Sequence, residues 1–425
     1  EETNDYSLFF GLLNKNNDIT LSDVADIPSD VKVQMQKSGV HVVIGNQLPL
    51  LDEHWDLIVR NPAIKFTSPL MQKMIELNLR VENEMEVAYH FLPKNVKIIG
   101  VTGSNGKTTT TTIIYELLKR LGVSVVLGGN IGTPLSFLEV SENDYLLLEI
   151  SDHQLLDFCD FKTDVSVLTN LSPTHLDYHG TYEHYMNAKK NIFRFHTHED
   201  IAILNNKDKD SMMITTDIES CKVYFNDEKN YFDETGIYIE NKLVVSLKDI
   251  LLKGQHNYEN ILAALLVVKT IAWDEGVIRD FLKNFGGVEH RLEFVRQVND
   301  VLYYNDSKAT NPVATITALK TFSSPIHLIL GGEERGQDFN ELNPYMKYVT
   351  CIYAIGSVTN RVVEYAKSQN IECVECHRLA KALEVIPSKV HPNDVVLLST
   401  ASASQDQYAR FEDRGCEFKN FVAKL

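Results

Sequence analysis

Short apolar runs of strand length alternate with longer stretches whose apolar residues recur at helical spacing, and the alternation persists along most of the chain. It predicts stacked α/β domains with largely parallel sheets. Residues 18–23 (DITLSD), 41–45 (HVVIG) and 56–60 (DLIVR) read as strands separated by helices, up to the punctuation at Leu92-Pro93-Lys94. A second block opens with the apolar run 96–101, crosses a glycine-bearing turn and enters a helix over 108–121. Strands at 145–150 and 165–169 follow, then a helix over 182–195 and another over 257–272 with apolar residues at 3.6 spacing. The pattern breaks at Gly286-Gly287, and a third block carries strands at 293–305, 326–330, 350–355 and 394–399. The expected domains are 1–93, 94–287 and 288–425, without internal repeats or low-complexity segments.

Length agrees with that division, since 425 residues exceed what one ordinary core organises. Charge narrows the partners. With 41 Lys+Arg against 58 Asp+Glu the chain carries −17, which repels nucleic acid and anionic membrane surfaces, so neither is expected as a partner. An anionic ligand must then be held by a local site. No run approaches the roughly 18 to 20 apolar residues of a membrane span, and the acidic start EETNDY lacks a basic segment followed by an apolar one. A cytoplasmic protein is expected. Six scattered cysteines are too few for a disulfide scaffold. Cys373, Cys376 and His377 have the C-x-x-C-H spacing of haem attachment, but they lie in the alternating IECVEC segment, which reads as a plain strand.

The segment GVTGSNGKTTTTT (100–112) sits between an apolar strand and a helix. Gly103 and Gly106 let backbone N–H groups close around phosphate oxygens, with the helix N-terminus adding a favourable dipole. Lys107 supplies positive charge for β and γ phosphates, and the Thr108 hydroxyl is placed for Mg²⁺. The strict phosphate-loop pattern fails by one place, because Val101 stands where its first glycine belongs. Glu149 ends the apolar strand YLLLEI, so it points into the crevice beyond the strand carboxyl ends, a position suited to the same cation. Downstream, PTHLDYH carries His175, Asp177 and His179. A zinc reading of this H-x-D-x-H lacks a third nitrogen or sulfur ligand at recognisable spacing. Lys189 alone reads as a solvated helix lysine.

These strings, taken with GGNIGTPL (128–135), LEIS, SPTHLDYHG, NAKKNIF, KGQHNYEN and EHRLEF in that order, resemble the Mur ligase family over roughly 95–425. NDSKATNP (305–312), LILGGEERGQDF (328–339) and ASASQDQYARFEDRG (401–415) resemble its D-glutamate-adding branch. The resemblance implies a Rossmann-like N-terminal domain that binds the UDP substrate, a central P-loop ATPase-like domain with a parallel sheet, and a Rossmann-like C-terminal α/β domain for the amino acid. It implies a monomeric ligase of peptidoglycan precursor synthesis, joining D-glutamate to UDP-N-acetylmuramoyl-L-alanine through an acyl phosphate, with ATP and Mg²⁺. Gly103, Ser104, Asn105, Gly106, Lys107, Thr108 and Thr109 then bind ATP, with Asn260 and Arg291. Asp306 and Lys308 match third-domain residues that face the nucleotide, which implies domain closure. By the same resemblance Thr108 and Glu149 hold one Mg²⁺, while His175 and a carbamylated Lys189 serve a second. Asn130, Ser151 and His175 contact the muramoyl substrate, and Thr310, Arg335, Ser404 and Phe411 the glutamate, where Arg335 can grip a carboxylate in a fork. Lys107, His175 and Lys189 are the expected catalytic residues.

The chain departs from the family in three places. It opens at EETNDYSLFFGLLNK, inside the helix that follows the family's glycine-rich UDP turn, so that turn is expected to be missing. Where the family reads E-x-S-S-F-Q, this chain has Glu149-Ile150-Ser151-Asp152-His153-Gln154, an acid and an imidazole replacing a serine and a phenylalanine. Thr400 and Ser402 stand for the usual proline and cysteine. Two other readings are open. One is another ligase of the superfamily, such as a folylpolyglutamate synthase; the other is a nucleotide-binding relative without ligase activity.

Overall fold

The computed structural model describes residues 17–27, 29–62, 64–131 and 133–425, so the helix and missing turn expected at EETNDYSLFFGLLNK lie outside the described residues. The described chain forms two compact units, one of residues up to 244 together with 256–278, the other of 245–255 together with 279–425.

The first unit begins with two small parallel pairs, β1 (Thr20–Asp23) with β2 (His41–Ile44) and β3 (Ile58–Val59) with β4 (Val81–Glu82). Helix Ser29–Lys37 buries Met35 against Ile19, Leu21 and Val40. Arg60, just past β3, is buried; its Nε and Nη2 donate to Asp157 Oδ1 at 3.0 and 2.8 Å, and its Nη1 donates to the carbonyl of Ile64. Removing one member of a buried pair strands the other charge. Asp157→Ala is therefore expected to lower stability by about 3–5 kcal/mol, read as a fall in the urea midpoint.

The central sheet contains β5 (Lys97–Thr102), β6 (Val125–Gly129), β7 (Tyr145–Glu149), β8 (Val165–Leu168), β9 (Ile201–Asn205) and β10 (Cys221–Phe225), in the order β10-β9-β8-β5-β7-β6 with every pairing parallel. Burial on both faces explains why these strands read as unbroken apolar runs. Because the chain leaves β5 for one side of the sheet and later returns on the other, a crevice opens beyond the carboxyl ends of β5, β7 and β8. The expected helix at 257–272 runs Gln255–Ile271, and Ile261 to Val268 are all buried, so it is enclosed on all sides rather than amphipathic. A small sheet of β11 (Tyr231–Phe232), β12 (Gly236–Ile239) and β13 (Lys242–Ser246) follows β10.

The second unit holds a six-stranded sheet of β14 (Glu293–Val298), β15 (Val301–Asn305), β16 (Ile326–Gly331), β17 (Val349–Ile355), β18 (Glu372–His377) and β19 (Val395–Leu398), ordered β14-β15-β19-β16-β17-β18. The single strand expected at 293–305 is an antiparallel hairpin, turned at Asn299 and Asp300, both at positive φ. Those two residue types tolerate the left-handed region that such a tight turn demands. The remaining pairings are parallel. Cys373 and Cys376 pack into different cores of this unit, so they present no common face to a haem. This mixed α/β architecture, with an all-parallel central sheet and a mixed C-terminal one, is the class that the alternation predicts. Among the described residues no helix is long and apolar enough to cross a membrane.

Candidate active site

β5 delivers the chain straight into the phosphate loop. Val101, where a strict motif has its first glycine, is a fully buried strand residue, so the loop begins after Thr102. Gly103 and Gly106 have φ of 143° and 84°. A Cβ at Gly103 would lie 2.0 Å from Thr169 Oγ1, and one at Gly106 would lie 2.1 Å from Asn260 Oδ1. Only glycine fits either position. Side chains from beyond β8 brace the loop: Thr169 Oγ1 donates to Asn105 O at 2.6 Å, and Asn105 N donates to Asn170 Oδ1 at 3.0 Å. Ser104 Oγ lies 2.7 Å from the Tyr185 hydroxyl. Helix Lys107–Arg120 starts at once, burying Thr108 and Thr109, and Lys107 Nζ donates to the carbonyls of Gly103 at 2.9 Å and Ser104 at 3.2 Å. The loop is formed and its ammonium is gathered at the mouth.

Glu149 ends β7 almost fully buried. Its Oε1 accepts from Asn130 Nδ2 at 2.8 Å, whereas Oε2 has no hydrogen-bond partner. A buried carboxylate oxygen without a donor is costly, and a cation relieves it.

The next turn carries the acid and the imidazole at 152 and 153. Ser151 caps the helix Asp152–Leu155 through a reciprocal box with Gln154. Asp152, 1% exposed, is a hub: its Oδ2 lies 2.7 Å from His179 Nε2, 3.0 Å from His175 Nδ1 and 3.4 Å from His153 Nδ1, while Oδ1 lies 3.3 Å from Lys189 Nζ. Burial works to raise its pKa, but the hydrogen bonds from His175 and His179 and the ammonium of Lys189 prevail and hold it well below the usual carboxylate range. Burial pushes His153 down to about 4 against the pull of Asp152.

Lys189 is not the solvated lysine that its local sequence suggests. It is 0% exposed and donates to Thr102 Oγ1 at 3.0 Å. Burial, helped by the nearby Lys107, pushes it down to about 7, although Asp152 and Glu149 oppose the shift. The reason is tertiary: helix Tyr182–Lys190 turns this residue toward the sheet end rather than toward water.

In the second unit, polar groups gather beyond the carboxyl ends of β15, β16 and β19. Asp306 accepts from Ser399 Oγ at 2.7 Å and from Leu292 N at 3.0 Å, and burial pushes its carboxyl up to about 7. The sign follows from linkage. Between the ordinary value of 3.8 and about 7 the folded chain keeps a proton that the unfolded chain has released, so stability is lost as pH rises through this window. Asp306→Asn is expected to remove that component, so that the wild type loses stability relative to the variant from pH ~4 to ~7 in paired denaturation curves. Lys308 Nζ lies over the Phe411 ring, and Thr310 is exposed. Arg335 is ion-paired to Glu333 at 2.6 Å with its Nη2 3.5 Å from Gln405 Oε1. Ser404 Oγ is buried without a partner. Arg291 bridges to Val288 at the approach to β14. The hydroxyls at 400 and 402 are absorbed locally: Thr400 Oγ1 donates to Ala309 O, and Ser402 Oγ accepts from Gln337 Nε2.

Residues 101–268 match the Mur ligase middle domain and residues 290–402 match the Mur ligase, glutamate ligase domain. A UDP-N-acetylmuramoylalanine--D-glutamate ligase from Geobacillus kaustophilus is 42% identical over 402 residues, 92% of this chain and 89% of its own. The chain belongs to the Mur ligase family. A relative of the same name from Staphylococcus saprophyticus is 39% identical over 97% of this chain and 94% of its own. Among solved structures, the UDP-N-acetylmuramate-alanine ligase MurC from Thermotoga maritima gives a TM-score of 0.60 at 17% identity, covering 99% of this chain and 96% of that one. MurF from Acinetobacter baumannii gives 0.61 at 17%, covering 97% and 92%. At such identities the likeness is one of fold.

Sequence reasoning missed one organiser of this Mur ligase. Arg414 is 1% exposed, with Nε donating to Ser307 Oγ and Nη2 to Ser307 O, while Nη1 donates to the carbonyls of Ser402 and Ala403. It ties the Asp306–Lys308 turn to the segment that carries Ser404. The signal was present: on helix Phe411–Val422, residue 414 shares the apolar face of Phe418 and Val422.

Proposed function

We propose that this Mur ligase joins D-glutamate to UDP-N-acetylmuramoyl-L-alanine with cleavage of ATP to ADP and phosphate, as a monomer in the cytoplasm. The observation that carries the reading is a preformed phosphate loop beside a buried Glu149, Asp152 and Lys189 cluster, in a chain 42% identical to a relative bearing that activity in its name.

In this reading a carboxylate oxygen of the sugar nucleotide attacks the γ-phosphorus, the bond to ADP breaks, and an acyl phosphate forms. The amine of D-glutamate then attacks the acyl carbon, a proton leaves the nitrogen, and phosphate departs. Phosphoryl transfer asks for positioning and positive charge more than covalent help. With Ser104 N and Asn105 N engaged by Asn170, the backbone N–H groups at the start of the helix, 107–109, cradle the phosphates, Lys107 meets the β and γ oxygens, and Asn260, packed at Gly106, is assigned to ATP. Mg²⁺ fits the residues present, because the unpartnered Glu149 Oε2 is a ready oxygen donor beside the loop that holds Thr108. When bound, Mg²⁺ would neutralise charge on the transferring phosphoryl group. His175 and Lys189, the latter as a carbamate, are assigned to a second ion. Asn130, Ser151 and His175 hold the muramoyl end.

Arg291, Asp306 and Lys308 are assigned to ATP. With burial pushing its carboxyl up to about 7, Asp306 keeps its proton part of the time near neutral pH, which lessens charge repulsion against a nucleotide. Arg335, Thr310, Ser404 and Phe411 are assigned to D-glutamate, where Ser404 Oγ is a buried hydroxyl still lacking a partner.

The test is phosphate release by the purified chain supplied with ATP, UDP-N-acetylmuramoyl-L-alanine and D-glutamate, with each omitted in turn. Release that needs all three supports the reading. ATP binding without release supports a relative that has lost ligase activity, and release with a different amino acid moves the chain to another branch.

A further inference from the structure

We propose that Asp152, His153 and His175 form a binding site for a divalent transition ion of the zinc type, so that the second metal position of this chain is nitrogen-rich rather than suited to Mg²⁺. The inference deepens the ligase reading, since His175 belongs to both.

One ligand atom from each of these residues lies within 4.8 Å of the other two. The H-x-D-x-H segment supplies His175 to the site but no second imidazole, since its His179 is turned to Asp152. The fold supplies it from another element, because the turn after β7 brings His153 to His175 with ring centroids 5.0 Å apart. Three protein donors of two imidazoles and a carboxylate leave a fourth, open position, the arrangement of zinc sites that work on a ligand. Imidazole nitrogen suits zinc, cobalt and their neighbours, whereas Mg²⁺ demands oxygen in a near-ideal octahedron.

Asp152 is also held as a metal-ligating carboxylate must be. His179 Nε2 lies 2.7 Å from its Oδ2 and Lys189 Nζ lies 3.3 Å from its Oδ1, so the group is fixed by buried partners from two other helices, Leu176–His179 and Tyr182–Lys190. The site has an approach, since the His175 side chain is half exposed and that of His153 is 23% exposed. Both departures from the family's serine and phenylalanine, at 152 and 153, meet at this point.

The probe is Co²⁺ added to the purified full chain without substrates. Its visible ligand-field absorption reports imidazole coordination, and competition by Zn²⁺ and by excess Mg²⁺ reports selectivity. We expect a band that Zn²⁺ removes and Mg²⁺ does not. His153→Phe and Asp152→Ser, each restoring the family residue, should abolish the band while the thermal unfolding transition persists. His179→Gln should keep the band but weaken affinity roughly 10–100-fold. Absence of a band in the wild type, displacement by Mg²⁺, or an unchanged band in both His153→Phe and Asp152→Ser overturns the site. The wild-type arm decides the matter even if a variant fails to fold. A failed site with intact D-glutamate-dependent phosphate release leaves the ligase reading standing, and a cobalt band without ligase activity does the reverse.

Discussion

Replacing Lys107 with alanine is expected to lower substrate-dependent phosphate release by on the order of 10²–10³-fold while leaving the unfolding transition nearly unchanged. The two effects separate because of where the ammonium sits. Its Nζ donates to the carbonyls of Gly103 and Ser104, at 2.9 and 3.2 Å, on the loop itself. The loop's bracing comes instead from Thr169, Asn170 and Tyr185. Deleting the charge therefore removes what meets the phosphates without unmaking the cradle. Because negative charge builds on the departing ADP oxygen toward the transition state, kcat should fall more than KM rises. Steady-state kinetics beside a melting curve make the measurement. Wild-type turnover in the alanine variant would remove the phosphate loop from the mechanism.

Lys189→Ala should also abolish turnover, by about 10²-fold or more, but for a different reason. A bare ammonium repels a cation, whereas a carbamate presents oxygen to it. Only a neutral amine attacks CO₂, forming the N–C bond and releasing a proton. Burial has pushed this amine down to about 7 from an ordinary 10.5, so its neutral fraction grows as pH rises through 7. Turnover that depends on the carbamate should therefore fall as pH drops below about 7. Added formate or acetate is expected to restore part of the activity of the alanine variant by replacing the lost oxygen, a rescue that a merely structural lysine would not show. Full activity in the unrescued variant would end the proposed role. The variant also loses a buried partner of Asp152, so its kinetics belong below its own melting temperature.

How much of this site was legible depends on how local each feature is. The strand, glycine turn and helix around Lys107 were readable because their requirements lie within a few consecutive residues: apolar 96–101, then glycines where φ is positive. Glu149 was readable for the same reason, as the acid that ends an apolar strand. Single-strand reasoning failed at 293–305, where Asn299-Asp300 is a turn signal in an otherwise continuous run. The helix expected at 257–272 is present, and what the local pattern did not show is its enclosure by the rest of the unit, which buries Ile261 to Val268 on every side.

The order of elements, the class of fold, the phosphate loop and the branch of the Mur ligase family follow from residues that are neighbours in the chain, since backbone limits and side-chain type act at short range. Which groups share the buried end of β5 and β7 does not. Asp152 meets His175 and His179 across 23 and 27 residues, and Lys189 reaches Thr102 across 87. Those meetings arise because the sheet order β8-β5-β7 folds distant segments onto one edge, where low dielectric then sets how each group holds its proton.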